Sequence, residues 1–238
     1  IRSTDNANVK RAAKLQQKKF RDESGLYRAE GERLIHDIAA WDSTLIAELF
    51  ISESYCATHK TLDFDVKARI LTDIVFEKLS ETENSQGIIA LVHKNVSKPL
   101  AAERCLFLDR VRDPGNLGTI IRTAAAFGFT DIICRDCADV YGAKTVRSAM
   151  SGVAVCNYPS MTISDIRAAG YTVICADLAG TSLHAYKAGK QKLCLVIGNE
   201  ANGISDEILC AADVRLRIPM ENMESLNAAV SAGKIGRA

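Results

Sequence analysis

Residues 105–122 read CLFLDRVRDPGNLGTIIR, an apolar run followed by a turn that contains proline and two glycines. The run predicts a strand at 105–111, and the residues after the turn predict a helix at 119–127. The alternation continues toward the C-terminus, with further strands predicted at 131–135, 171–176, 192–197 and 214–218. Strands that are apolar along their whole length are typical of a mostly parallel sheet covered on both faces, so the predicted fold class is α/β.

A smaller α/β unit precedes this sheet. Its predicted helices lie at 33–41 and 74–79, and its predicted strands lie at 27–30, 45–52, 68–71 and 87–93. Residues 94–99 then read KNVSKP, and a polar stretch ending in proline is typical of a domain boundary. We therefore predict an N-terminal domain at 1–98 and a C-terminal domain at 99–238.

The chain has 238 residues, of which 47% are hydrophobic and 25% are charged, as in an ordinary globular protein. Its formal net charge of +1 hides an uneven distribution. Residues 1–21 carry seven basic and one acidic side chain, a balance of +6, whereas residues 34–98 carry six and ten, a balance of −4. A predicted amphipathic helix at 8–21 carries Lys10, Arg11, Lys14 and Lys18. This basic arm suits contacts with phosphates, and it also fits a solvated helix face.

The eight cysteines are explained without disulfide bonds or metal. We see neither a secretory leader nor an apolar run long enough to cross a bilayer, which favours a cytoplasmic protein with reduced thiols and no membrane association. Cys134 and Cys137 form a C-x-x-C pair, but no second pair follows at zinc-site spacing and the four histidines are scattered. We therefore predict no metal site.

Three loops that follow predicted strands are rich in Gly, Asn and ionisable residues, at 113–122, 197–205 and 218–227. In doubly wound sheets, ligands bind beyond the carboxyl ends of the strands, where such loops gather. The candidate residues are Asn116, Arg122 about one turn into the following helix, Glu200, Ser225 and Asn227. Each loop alone also has a structural interpretation, as a turn, a helix cap or an ion pair.

Common nucleotide and hydrolase signatures are absent from the sequence. There is no G-x-x-x-x-G-K-[ST] and no G-x-G-x-x-G after the first strand of the larger sheet, which disfavours a P-loop NTPase and an ordinary NAD-binding fold. No G-x-S-x-G is present either, which disfavours an α/β-hydrolase. The residues alone therefore indicate an α/β protein with a cluster of polar loops.

Taken together and in order, the three loops resemble the three motifs of the SpoU (TrmH-like) class of SPOUT methyltransferases, which methylate ribose 2′-hydroxyls of RNA. The motif strings are DPGNLGTIIR at 113–122, IGNEANG at 197–203, and IPM at 218–220 followed by ESLN at 224–227. The resemblance covers about residues 104–236. Residues 9–93 resemble the small RNA-binding domain, related to a ribosomal-protein fold, that many members carry.

The resemblance implies a trefoil-knotted C-terminal domain that works as a homodimer and binds S-adenosylmethionine. It places the family's polar active-site positions on Asn116, Arg122, Glu200, Ser225 and Asn227. It places the cofactor contacts on Gly198, Asn199, Ile218, Met220 and Leu226. Because a guanidinium is a poor base, we expect Arg122 to clamp a phosphate and to stabilise developing alkoxide charge, and not to act as a simple proton acceptor.

The leading hypothesis is a ribose 2′-O-methyltransferase of ribosomal RNA, because a basic arm and a separate N-terminal domain suit a large folded RNA. Transfer RNA is the alternative substrate. A third possibility is an RNA-binding or assembly protein that has kept the fold without turnover.

Overall fold

The computed structural model describes residues 1–59, 66–187, 189, 191–222 and 226–236, and these residues form two separate β-sheets. The strands of the N-terminal sheet are β1 (Leu26–Glu30), β2 (Ile46–Ser52), β3 (Ala68–Leu71) and β4 (Ile88–His93). Their spatial order is β1-β4-β2-β3, with β2 parallel to β3 and β4 antiparallel to β1 and β2. The helices of this part are α1 (Ala7–Lys14), α2 (Lys18–Ser24), α3 (Glu32–Asp42), α4 (Glu53–Thr58) and α5 (Asp73–Leu79).

The C-terminal sheet is entirely parallel, as the apolar strands predict. Its strands are β5 (Arg104–Asp109), β6 (Asp131–Arg135), β7 (Thr172–Ser182), β8 (Leu193–Ile197) and β9 (Val214–Arg217), in the order β6-β5-β8-β7-β9. The helices are α6 (Pro114–Ala126), α7 (Ala143–Ala149), α8 (Gly152–Val155), α9 (Ile163–Ala168), α10 (Asp206–Cys210) and α11 (Ala228–Gly236). None of the helices described here has the length and hydropathy needed to cross a membrane.

Helices cover both faces of this sheet. Leu106 and Leu108 of β5 belong to a buried cluster with Ile120 of α6. The intervening Phe107 belongs to a second cluster with Ile208 of α10. Successive side chains of a strand point to opposite faces, so the two clusters lie on the two sides of one sheet. The predicted α/β class with a covered parallel sheet is confirmed.

The basic N-terminal segment is not the single helix that its spacing predicts. Helix α1 ends at Lys14 and α2 begins at Lys18. In a continuous helix the carbonyls of Leu15 and Gln16 would accept from backbone amides four residues later. They accept instead from Nη1 of the buried Arg21, each at 2.7 Å. The buried guanidinium of Arg21 thus occupies the two carbonyl acceptors that backbone amides would use if the helix continued.

The first loop also differs from the prediction, because α6 begins at Pro114 and not at residue 119. Asp113 caps the helix by accepting from the backbone amide of Asn116 at 2.8 Å, and proline occupies the first turn, where it is well tolerated. Arg122 is therefore the ninth residue of α6, about two turns from its start, and not one turn as expected.

Specific contacts join the two parts of the chain. Arg21 forms an ion pair with Asp139, and the rings of Tyr27 and Tyr141 have centroids 5.0 Å apart. Asn95 donates from Nδ2 to the carbonyls of Ala154 at 2.7 Å and Cys156 at 2.6 Å. These buried and half-buried contacts fix the N-terminal part against the parallel sheet.

Candidate active site

Three side chains, one from each of the three predicted motif segments, form a hydrogen-bonded chain. Asn227 donates from Nδ2 to Oδ1 of Asn116 at 2.8 Å, and Asn116 donates from Nδ2 to Oε1 of Glu200 at 2.9 Å. The loops follow or lie beyond the carboxyl ends of parallel strands, which brings residues distant in sequence to one edge of the sheet. Three of the five predicted polar site residues are thus in direct contact.

The cap of α6 holds Asn116 in place. Besides the hydrogen bond from the Asn116 amide, the Asp113 carboxylate accepts from Lys144 Nζ at 3.2 Å. These two interactions lower the pKa of the Asp113 carboxyl below its usual value. Asn116 therefore lies in the first turn of a well-capped helix, where its side chain can contact both Glu200 and Asn227.

Asn199 closes the second loop upon itself. Its Oδ1 accepts from the backbone amides of Ala201 and Asn202, each at 3.0 Å, and its Nδ2 donates to the carbonyl of Arg110 at 2.8 Å. Gly198 is required here, because a Cβ at this position would overlap the backbone of Gly203. The loop is thereby a compact platform that carries Glu200.

Asp109 and Arg110 support this platform, and the sequence analysis did not single them out. Asp109 is fully buried at the end of β5, and its Oδ2 accepts from the backbone amide of Ser205 at 2.8 Å. Arg110 has φ of 60°, a conformation that turns its carbonyl toward Asn199. The available signal was a pair of charged residues inside an otherwise apolar predicted strand at 105–111.

An open pocket of about 320 Å³ adjoins the polar chain. Its volume lies within the range typical of small-molecule sites, roughly 300–1,000 Å³. Its walls contain all five residues predicted to contact a cofactor, namely Gly198, Asn199, Ile218, Met220 and Leu226. Two carboxylates, Asp177 and Glu200, also line it, so the pocket combines apolar walls with negative charge.

The other predicted site residues stand apart from the chain. Arg122 is exposed on α6, and within the described residues its side chain has neither a hydrogen bond nor an ion pair. It lies about 9 Å along the helix axis and about 120° around it from Asn116, given ordinary helix geometry. Ser225 falls outside the described residues. In the part of the chain that the structure covers, no group of three or more His, Cys, Asp or Glu could hold a metal ion.

The basic residues of the N-terminal segment are mostly paired with acidic side chains. Lys10 lies 2.7 Å from Asp5, Lys18 lies 2.6 Å from Asp22, and Arg11 pairs with Glu48. Lys14 differs from these, because its ammonium lies 5.3 Å from the centroid of the Phe20 ring. The positive charge that this surface offers to a polyanion is therefore smaller than the residue count indicates.

The parallel sheet, the pocket beyond its carboxyl edge and the polar chain beside that pocket define a ligand-binding α/β domain. Comparison with known proteins gives the family: the chain belongs to the SpoU rRNA Methylase family, whose model matches residues 103–235. A second model, the MRM3-like substrate binding domain, matches residues 6–90. The resemblance of the three loops to SpoU enzymes is thereby confirmed.

Individual relatives resemble the chain over nearly its whole length. The 23S rRNA (guanosine(2553)-2′-O)-methyltransferase RlmP of Bacillus subtilis is 32% identical over 239 residues, 98% of this chain and 95% of that protein. The crystal structure of an AdoMet-bound rRNA methyltransferase from Sinorhizobium meliloti has a TM-score of 0.84 and 31% identity, covering 99% of this chain and 95% of that chain. A TrmH-family structure from Porphyromonas gingivalis has a TM-score of 0.85 and 27% identity, covering 98% and 96%.

Proposed function

We propose that this protein transfers a methyl group from S-adenosylmethionine to a ribose 2′-hydroxyl of RNA, with ribosomal RNA as the substrate. The observation that carries the proposal is the chain Asn227–Asn116–Glu200, which lies beside a pocket with the expected cofactor contacts in its walls. The similarity to the Bacillus subtilis enzyme spans both parts of this chain and therefore supports a shared substrate class.

The pocket fits S-adenosylmethionine in size and in chemistry. The side chains of Ile218, Met220 and Leu226 offer apolar surface for an aromatic base. Asp177 and Glu200 complement a ligand that carries a sulfonium and an ammonium group. When bound, the cofactor supplies an electrophilic methyl carbon, and the Sinorhizobium meliloti relative was crystallised with it.

The residues of the site act mainly by positioning. Asn116 accepts from Asn227 and donates to Oε1 of Glu200. Oε2 of Glu200 accepts a long hydrogen bond of 3.4 Å from Nδ2 of Asn199, and its second lone pair can orient a ribose hydroxyl. Arg122 has no internal partner among the described residues, so its guanidinium is available to clamp the adjacent RNA phosphate and to stabilise alkoxide charge. The hydroxyl proton leaves through this arginine or through water. Ser225 is assigned to hold the third loop in shape.

A homodimer, a trefoil knot and a cytoplasmic location remain predictions. Support for a dimer comes from the packed helices α6 and α11. Phe127, which directly follows α6, is 44% exposed, and Val230 of α11 is 54% exposed. Exposed apolar side chains of this kind mark protein–protein contacts when they are contiguous. The boundary between the domains, at residues 98 and 99, is likewise a prediction.

The proposal is tested with radiolabelled S-adenosylmethionine and separately purified ribosomal and transfer RNA from a strain that lacks the enzyme. We expect label in one 2′-O-methylnucleoside of ribosomal RNA. Label in transfer RNA alone would show that transfer RNA, and not ribosomal RNA, is the substrate. Cofactor binding without label in either RNA would point to an assembly intermediate as substrate, and absence of cofactor binding would favour the noncatalytic RNA-binding alternative.

A further inference from the structure

Residues 177–180 of β7 leave the hydrogen-bonded ladder of the parallel sheet at the edge of the pocket. Ala176 and Thr181 both lie opposite Leu216 of β9, so the four residues between them have no partner position on β9. Bulges of this kind disturb pairing locally and redirect side chains, and they are common beside active sites. The first residue of this bulge, Asp177, lines the pocket. The sheet therefore interrupts its pairing at the position where it presents a carboxylate to the pocket.

Several contacts hold the bulge in this shape. Gly180 brings the returning chain close to β9, because a Cβ at this position would lie 2.5 Å from the carbonyl of Arg215. Oδ1 of Asp177 accepts from the backbone amide of Ala179 at 3.2 Å, and Oδ2 lies 3.6 Å from Nη1 of Arg215. Arg215 is held in turn, since its Nη2 donates to the carbonyl of Leu209 at 2.9 Å. The Asp177 carboxylate thus has a defined position in the pocket wall.

The two carboxylates of the pocket differ in how their charge is compensated. Asp177 has the guanidinium of Arg215 beside it. Glu200 accepts only from the neutral side-chain amides of Asn116 and Asn199, and no basic side chain pairs with it among the described residues. The uncompensated negative charge of the pocket therefore lies mainly at Glu200, which is the better complement of a cationic group. Asp177 offers hydrogen-bond acceptance more than net charge.

The acceptor capacity of Asp177 suits two neighbouring hydroxyl groups. An ionised carboxylate has about four lone-pair sites on its two oxygens. The amide of Ala179 occupies one site on Oδ1, and Arg215 faces Oδ2, so each oxygen can still accept a hydrogen bond. The vicinal hydroxyls of a ribose are two adjacent donors. An acidic residue accepts from a nucleotide ribose in dinucleotide-binding α/β sheets, where ligands also bind beyond the carboxyl ends of the strands.

We propose that Asp177 binds the ribose hydroxyls of S-adenosylmethionine and thereby makes the pocket specific for a ribonucleoside; this inference rests on the proposed function. Asp177 lies outside the three motif segments at 113–122, 197–205 and 218–227, so those segments do not identify it. The bulge is the structural feature that brings it to the pocket. Asp177 binds the cofactor's ribose, and Glu200 remains the carboxylate for positive charge and for the ribose of the RNA.

The test measures the affinity of the full chain for two ligands by calorimetry. One ligand is S-adenosylmethionine, and the other is 5′-methylthioadenosine, which keeps the base and the ribose but has neither the sulfonium nor the ammonium group. We expect Asp177→Asn to weaken both ligands by the same factor, about tenfold, because both lose hydrogen bonds to a charged acceptor. Asp213→Asn is the matched control: Asp213 also pairs with an arginine, Arg167, but it lies just before β9 and outside the pocket walls, so both affinities should stay unchanged.

Arg215→Gln separates direct contact from support of the bulge. This variant removes the ion pair but keeps the carboxylate, so its affinity for 5′-methylthioadenosine should stay within about twofold of the wild type. A loss equal to that of Asp177→Asn would show that Asp177 acts only through Arg215 and would overturn the proposal. Weaker binding of S-adenosylmethionine alone in Asp177→Asn would also overturn it, by assigning this carboxylate to the ammonium or sulfonium group.

A measurement on the wild type keeps the proposal testable if Asp177→Asn does not fold. The 2′-deoxy analogue of 5′-methylthioadenosine should bind about tenfold more weakly than the parent compound, and equal affinities would contradict the role of Asp177. Failure of the proposed function is distinguishable, because the wild type would then not bind S-adenosylmethionine. Binding of S-adenosylmethionine with equal affinity by the wild type and Asp177→Asn would overturn this inference alone.

Discussion

The side-chain amide of Asn116 donates a hydrogen bond of 2.9 Å to the carboxylate of Glu200, and this contact joins the first turn of α6 to the loop after β8. The two residues are 84 positions apart in the chain. Because Asn116 also accepts from Asn227, one amide side chain holds both neighbouring loops in register.

Replacing Asn116 should therefore impair catalysis far more than folding. We expect Asn116→Ala to lower kcat/KM by about 100-fold, since misplacing reacting groups is costly, and to change the free energy of unfolding by about 1 kcal/mol at this half-buried position. Methyl transfer to RNA and denaturant unfolding are the two measurements. Asn202→Ala, in the same loop as Glu200, is the control.

A double-mutant cycle with Glu200→Ala checks whether the two side chains act together. Their combined effect on kcat/KM should be smaller than the product of the single effects, because either change breaks the same contact. Fully multiplicative effects would show that Asn116 and Glu200 act separately.

Arg122 should matter for turnover and not for cofactor binding. We expect Arg122→Gln to lower kcat by about 100- to 1,000-fold, the usual effect of removing a donor that stabilises transition-state charge, with the dissociation constant of S-adenosylmethionine unchanged. The matched control is Arg104→Gln. Arg104 is an exposed arginine at the N-terminal end of β5, away from the candidate site. An undiminished rate in Arg122→Lys, with the wild-type pH–rate profile, would exclude an essential role.

Asp22 should contribute a pH-dependent increment of stability. Lys18 at 2.6 Å and Lys94 at 2.5 Å lower the pKa of the Asp22 carboxyl to about 2. This pKa lies below the unfolded value of roughly 3.9, so the stabilisation is present above about pH 4 and is lost as the pH falls toward about 2. The side chain is 49% exposed, so we expect less than about 1 kcal/mol.

The measurement is the free energy of unfolding of wild type and Asp22→Asn at about pH 6 and about pH 3. The difference between the two proteins should shrink at the lower pH. Glu103→Gln, at an exposed carboxylate without an ion pair among the described residues, is the control. A difference that is constant with pH would contradict the role of these lysines.

The salt dependence of RNA binding should distinguish Lys14 from Lys18. Lys14 has no acidic partner among the described residues, so Lys14→Gln should lower the slope of log affinity against log salt concentration by about one, if this surface contacts RNA phosphates. Lys18→Gln should lower it less, because Asp22 already balances that charge. Unchanged slopes in both variants would return this segment to a solvated helix face.

Most strands of both sheets and part of the candidate site could be predicted from the sequence. Apolar runs predicted the strands of both sheets to within a few residues, apart from β7, which continues past residue 176 to Ser182. The rule that ligands bind beyond the carboxyl ends of parallel strands predicted that Asn116 and Glu200 would lie close together. The early start of α6 was also readable, since an Asp-Pro pair is a helix-start signal.

What could not be predicted depends on contacts between distant residues. The break between α1 and α2 follows from the burial of Arg21 against Asp139, 118 positions away, which no helical periodicity reveals. The pairing of Arg11 with Glu48 likewise needed the folded sheet. The separation of Arg122 from Asn116 could not be predicted without knowing that α6 begins at Pro114, which places both residues on one helix.

The contacts of Arg21, Tyr27 and Asn95 with the parallel-sheet part have a consequence for how a nucleotide is chosen. Under the proposed function, these contacts hold the N-terminal part at a fixed distance from the pocket. That distance determines which ribose reaches the pocket when the N-terminal part binds a given feature of the RNA. Asn95→Ala removes two of these contacts, so we expect it to spread methylation over neighbouring nucleotides while lowering the total rate of methyl transfer less.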